Sequence, residues 1–223
     1  MTQSEKLNDN IFNAVSAGNL GFLEYLHKNK VNLKIKDSDD NNILLIASMA
    51  GKVDIMKKAI YEFGIDINSQ NRYGLDALKF AMLSGQTDAF LFLLEKGISP
   101  FLCDIAGNTS VHLAASVDSP ILRNHKNYLE TLFEYSKNFR KLVNAKNKFG
   151  NTPLHSVFAS NKIDERHKIQ NALTLIENGA VALENNDGKT PADACDDEFF
   201  ASYLKTSTAC ATQRYTVKTP HKI

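Results

Sequence analysis

Cys103 and His112 stand nine residues apart, a thiol and an imidazole of the kind that pair as nucleophile and general base. Asp118, His125 and His167 offer oxygen and nitrogen donors of the sort that bind metals. Gly188-Lys189-Thr190 copies the end of a phosphate loop. Lys137, Arg140, Lys141, Lys146 and Lys148, with Phe139 and Phe149 beside them, have the composition of a groove for single-stranded nucleic acid: cations for the backbone, rings for the bases. Each fails on spacing. Cys103 and His112 fall at fixed positions of a repeat described below. The metal candidates lack the i, i+4 or Cys-x-x-Cys spacing that preorganises ligands. The phosphate loop lacks its upstream glycine. Glu130 and Glu134 precede the basic run, and lysines near a helix C-terminus are favoured by the helix dipole alone. The reading is no enzyme, no catalytic residue, no metal, no cofactor and no nucleic-acid partner.

Bulk properties agree. The 223 residues are 43% hydrophobic and 23% charged, with a net charge of +1, close to globular averages and without a field that would gather polyanions. No apolar run approaches the length of a membrane helix, the densest being Phe90-Leu91-Phe92-Leu93-Leu94. The first ten residues are polar, unlike a signal peptide. Three scattered cysteines, Cys103, Cys195 and Cys210, make no disulfide framework. A cytoplasmic, monomeric protein is expected.

The elements that position these residues recur. Gly18 and Gly51 lie 33 apart, Gly51 and Gly85 34, and Gly74 and Gly107 33. Reading outward, Asp104 to Ala115 aligns with Asn147-Lys148-Phe149-Gly150-Asn151-Thr152-Pro153-Leu154-His155, and Asn185 to Ala192 repeats the opening. The chain here resembles the ankyrin repeat family, whose unit is about 33 residues with a Thr-Pro-Leu-His signature. Earlier units are degenerate, reading Asn42-Ile43-Leu44-Leu45 and Asp76-Ala77-Leu78-Lys79 at the signature, yet Ala47 and Gly51, then Ala81 and Gly85, keep the register.

The expected fold is all-α, a solenoid of stacked helix-turn-helix units with short β-hairpin-type loops. Its organisation reads as an N-terminal cap at about 8–36, repeats at about 37–70, 71–103, 104–146 and 147–184, a C-terminal cap at about 185–204, and a tail over 205–223. Gly74, Gly107, Gly150 and Gly188 belong in turns with positive φ. Thr109, Thr152 and Thr190 should cap helices whose first turn accepts Pro153 and Pro191. The imidazoles of His112 and His155 should bond the neighbouring turn and helix start. Phe22-Leu23 with Leu26, Ala89-Phe90 with Leu93-Leu94, and Tyr128-Leu129 with Leu132-Phe133 follow helical spacing and read as core. Extra residues fall at 118–124, 136–141 and 161–167.

Ankyrin-like proteins are mostly interaction modules, so the resemblance implies a protein partner held by hairpin tips and first helices. On that surface fall Arg72, Tyr73, Leu75, Leu83, Ile105, Ala106, Asn108, Ser116, Lys148, Phe149, Asn151 and Ala159, with Ser38, Asp39, Asn41 and Met49 from the preceding unit. Arg72, Tyr73, Leu75 and Phe149 are the expected anchors, and Pro120-Ile121-Leu122 is a second apolar candidate. Alternatives are a recruiting or inhibitory module for an enzyme, and a nucleic-acid binder. Lys outnumbers Arg 21 to 5, a bias found in several intracellular bacteria that secrete ankyrin-like effectors. In that setting the partner is a host protein in the host cytosol, and Thr206 to Ile223 becomes a candidate secretion signal.

Overall fold

The computed structural model describes residues 3–118 and 126–206. It divides into two compact units, Met1–Ile105 and Ala106–Ile223. Among the described residues no strand forms; the hairpin signal survives as one isolated bridge, Gln70 to Asp76. Pro120-Ile121-Leu122 and all of the tail after Thr206 lie outside the described residues.

The first unit holds three helix pairs: α1 (Gln3–Ala17) with α2 (Leu20–Lys28), α3 (Ile43–Met49) with α4 (Val53–Tyr61), and α5 (Ala77–Leu83) with α6 (Thr87–Glu95). Within it α1 packs on α3 and α3 on α5. The first helices α3 and α5 are short and buried on almost every side, so they read apolar nearly all round: Ile43 to Ala47 are all buried. Second helices are amphipathic. In α4, Ile55, Met56 and Ala59 face inward while half-buried Lys58 flanks that face, ion-paired to Glu24 and Glu62.

The second unit contains α7 (Ser110–Ser116), α8 (Tyr128–Tyr135), α9 (Lys137–Arg140), α10 (Pro153–Ala159) and α11 (Glu165–Glu177). Here α7 packs against α10 and α8, and α10 against α11. The extra residues around 136–141 form the four-residue α9, pinned by Phe139 at 2% exposure. Those after Asn161 lengthen α11 to 13 residues, against nine in α4 and α6. Its start is capped by Asp164. Where a final first helix is due, the chain makes only a 3-10 turn, Pro191–Ala194, and becomes helical again over 198–206.

Of the expected core residues Leu23, Leu26, Ala89, Phe90, Leu93, Leu94, Tyr128, Leu129, Leu132 and Phe133 are buried, while Phe22 is half-buried. Burial pushes the Tyr128 phenol up to about 12. The turn glycines have positive φ, and two are needed for a further reason. A Cβ on Gly74 would sit 2.7 Å from the Asp104 Cα, and one on Gly150 would sit 2.6 Å from the Asn186 nitrogen. Close approach of successive hairpins excludes a side chain there.

Candidate functional site

Four hairpins begin with an Asx residue whose side chain closes the turn. Asp37 Oδ1 accepts from the Asp39 and Asn41 amides, Asn71 Oδ1 from Tyr73 and Leu75, Asn147 Oδ1 from Phe149 and Asn151, and Asn185 Oδ1 from Asp187 and Lys189. Side-chain oxygens thus satisfy backbone donors that the tight turn leaves unpaired. Successive tips are tied by the main chain. In the first unit Arg72 N–H donates to Asp39 O at 3.1 Å and Ile105 N–H to Tyr73 O at 2.9 Å. In the second, Lys148 N–H donates to Ala106 O at 2.9 Å and Asn186 N–H to Phe149 O at 3.1 Å. Asparagine amides add a second rail, Asn71 to Asn41, Asn147 to Asn108 and Asn185 to Asn151.

Helix starts reinforce the tips. In α7 and α10 the threonine and histidine form reciprocal capping boxes. His112 Nε2 lies 3.0 Å from Asn151 O, and His155 Nε2 3.0 Å from Lys189 O. A carbonyl only accepts, so each Nε2 carries the proton, and each Nδ1 is the acceptor of its threonine's amide. Burial lowers the His155 pKa below the ordinary imidazole value. In α5 the same task falls to other residues. Asp76 accepts from the Lys79 amide, while Lys79 Nζ donates to the Asp76 carboxylate and, at 2.9 Å, to Leu102 O. Both side chains are 1% exposed.

On these scaffolds the first unit displays Arg72, Tyr73 at 44%, Leu83 at 43% and Ile105 at 59% exposure. Leu75 is half-buried. Tyr73 Oη donates to Asp39 Oδ1 at 3.2 Å, and Arg72 Nε lies 3.7 Å from Asp40 Oδ2, so both tips are braced by the preceding hairpin. Asp40 occupies the place that glycine fills in the later hairpins, at φ 63°. In the second unit Lys148 and Phe149 are exposed, Phe149 at 61%. Asn108 and Asn151 are half-buried, their oxygens engaged in the amide rail.

One expectation fails. Asn41 does not point outward; its contact with Asn71 holds it at 8% exposure. Phe139, in the basic run set aside above, is 2% exposed and pins α9 to the core. Asp40 and the Lys79 cap were not foreseen, although glycine at the matching place in later hairpins made Asp40 conspicuous.

The remaining chemistry-bearing residues have local duties. His167 Nδ1 meets Asp164 Oδ1 at 2.8 Å at the start of α11. Lys146 Nζ donates to Glu184 O and Arg140 Nε to Phe133 O. Among the described residues no group of three or more His, Cys, Asp or Glu is placed to hold a metal, and no helix is long and apolar enough to cross a membrane. In the second unit a hollow of about 290 Å³ opens beside Ser116 and Ala159, the positions at which the first unit carries Met49 and Leu83.

Helix pairs joined by hydrogen-bonded hairpin tips define a repeat scaffold that presents side chains from fixed backbone. The model of the family described as ankyrin repeats (3 copies) matches residues 11–104. No curated protein matches the sequence. Among 531 matching chains of solved structures is one from the complex of the Bd0816 predatory endopeptidase from Bdellovibrio bacteriovorus with immunity protein Bd3460. It is 23% identical, with a TM-score of 0.66, over 92% of this chain and 97% of that one. So widely used a fold does not specify a partner.

Proposed function

We propose that the chain is a non-enzymatic adaptor or effector module that binds a protein partner through the hairpin tips of its units. Arg72, Tyr73 and Ile105 are the anchors offered by the first unit, flanked by Leu75 and Leu83; Lys148 and Phe149 are those of the second. Asn108 and Asn151 serve by holding the tips in register. The observation that carries this reading is large apolar side chains on locked backbone. Tyr73, Ile105 and Phe149 are 44–61% exposed while the main chain beneath them is committed to neighbouring hairpins. Such a surface loses little backbone entropy on association, and Tyr and Arg are frequent hot spots. Asp40 supports it too. A non-glycine residue in the left-handed region costs about 1–2 kcal/mol, and here that strain places a carboxylate beside Arg72.

The test is to capture the partner and compare Tyr73→Ala and Phe149→Ala, singly and together. The double variant should lose about tenfold or more in affinity, about 1.4 kcal/mol, with the melting temperature unchanged because both rings are exposed. Unchanged affinity would remove the tips from the interface. The complex of Bd0816 with Bd3460 favours a second reading, in which the partner is an enzyme that the module restrains. An assay of the captured partner with and without added module decides between them.

A further inference from the structure

The loop after α2 inverts a pattern kept later in the chain. Three times a glutamate stands two residues before a glycine of positive φ: Glu62 before Gly64, Glu95 before Gly97 and Glu177 before Gly179. After α2 the same two places hold Lys28 and Lys30, and Lys30 keeps the left-handed backbone at φ 60°, a conformation that strains any residue with a Cβ. Four residues further on, Asn68, Phe101 and Leu183 are matched by Lys34. Residues 27–36 thus carry four lysines and no Asp or Glu.

Lys28, Lys30 and Lys34 converge. With His27, Leu33 and Phe63 they line a hollow of about 520 Å³ in the first unit, and none of its lining residues is acidic. The three lysines are exposed, Leu33 and Phe63 are buried, and the His27 ring tilts onto Phe63 at 5.0 Å. Lys34 reaches across to the next repeat, where a Cβ on Gly64 would sit 3.1 Å from its Nζ. Among the described residues none of the three ammonium groups has a hydrogen bond or an ion pair. Nearby carboxylates are engaged elsewhere, Glu24 and Glu62 by Lys58, Asp37 and Asp66 by amides of their own turns. Capping of α2 does not account for the lysines. The carbonyls of Tyr25, Leu26 and His27 already accept from the Asn29, Val31 and Lys30 amides, and glutamates at or beside the ends of α4, α6 and α11 show that these helix ends need no cation.

We propose that this hollow binds clustered phosphate groups, carried by a small polyphosphorylated molecule or by a lipid headgroup. Charges of one sign set against apolar walls focus their field. Lysine ammonium groups lack the fork that matches a carboxylate and meet phosphate as point charges. A single carboxylate would answer one of the three, whereas phosphates bring about 1.5 to 2 charges each. The strain at Lys30 is kept where it adds a third cation to the hollow. The hollow shares no residue with the hairpin tips, so the inference does not rest on how those tips bind a partner.

The second repeat supplies the control. Lys28→Glu, Lys30→Gly and Lys34→Asn together give the first repeat the residues that stand at 62, 64 and 68, and the melting temperature should hold or rise because the left-handed lysine is removed. Inorganic triphosphate titrated calorimetrically at low salt should bind the full chain, bind the triple variant at least about tenfold more weakly, and bind the native chain more weakly as salt is raised. Phosphatidylcholine vesicles containing phosphatidylinositol bisphosphate form the second arm. Capture by these vesicles without affinity for free triphosphate assigns the site to a headgroup, and the triple variant should lose that capture too. Lys34→Asn alone, with circular dichroism as the check on folding, should show a loss of about threefold should the triple variant melt early. The proposal is overturned if neither probe binds, or if the folded variants bind as well as the native chain. It is also overturned if polyglutamate binds as tightly as triphosphate, which would assign the hollow to an acidic segment of a protein.

Discussion

In the first unit the spaced helix pairs start at Asn42 and Asp76, with Leu45 and Lys79 three residues on; in the second they start at Thr109 and Thr152, followed by His112 and His155. The first unit keeps the 33-residue spacing and alters the residues that close each turn. The second keeps those residues and lengthens the spacing with α9 and an extended α11. Yet the family model matches residues 11–104, the half with the weaker signature. The difference teaches that spacing and core pattern define the repeat, while the cap can be rebuilt from other chemistry. A threonine–histidine pair and an aspartate–lysine pair both bond a carbonyl further along the chain, Asn151 O and Lys189 O in one unit and Leu102 O in the other.

The largest expected effect tests whether the two caps are equivalent. Asp76→Ala leaves the Lys79 ammonium buried without its counter-charge and should cost about 3–5 kcal/mol in urea unfolding. Asp76→Thr with Lys79→His installs the second unit's cap and should recover most of that loss; no recovery would show that the first unit is committed to its ion pair. Next comes His155. His155→Ala should cost about 1–3 kcal/mol, since Lys189 O and the Thr152 amide lose their partner. The native imidazole has a folded pKa below its unfolded value. The unfolded chain therefore takes up the proton first, and the stability owed to His155 is present above about pH 6.5 and lost as pH falls through the lowered folded value. Urea midpoints measured from pH 7.5 to 5 should fall more steeply for the native chain than for His155→Ala.

Smaller effects separate strain from function. Asp40→Gly relieves a left-handed residue and should stabilise the first unit by about 1 kcal/mol, less whatever the exposed Arg72 pair supplies. The same change should weaken partner binding, and a gain in stability without a loss of affinity would give Asp40 no role in recognition. Smallest is Ser110→Pro. Ser110 stands where Pro153 and Pro191 begin their helices, and its hydroxyl is buried without a partner. Proline there should add about 0.5 kcal/mol by thermal melting.

Much of this architecture was legible in the sequence because glycine spacing, threonine caps and proline at helix starts are local requirements. Gly74 and Gly150 had to be glycine for their turns, and Thr152-Pro153-Leu154-His155 contains its own cap. The Lys79 cap was not legible, because a lysine three residues after an aspartate reads as a surface pair until burial brings both side chains to 1% exposure. Asn108 and Asn151 occupy the positions expected of surface residues, but their engagement depends on Asn147 and Asn185, each 34 or more residues away. The role of Phe139 was hidden for a related reason: nothing local marks a ring among lysines as core until α9 buries it. The proposed anchors belong to the least legible class, since exposed tip residues obey no packing rule that leaves a periodic trace.

The rungs between hairpins imply an unusual hydrogen-exchange record. Arg72, Ile105 and Lys148 are exposed to water through their side chains, yet each has its amide proton bonded to the hairpin before it. Exchange at those amides must wait for neighbouring tips to part, so they should exchange slowly for residues so open to solvent. The surface offered for recognition would then read out, amide by amide, the opening energy of the repeats that hold it.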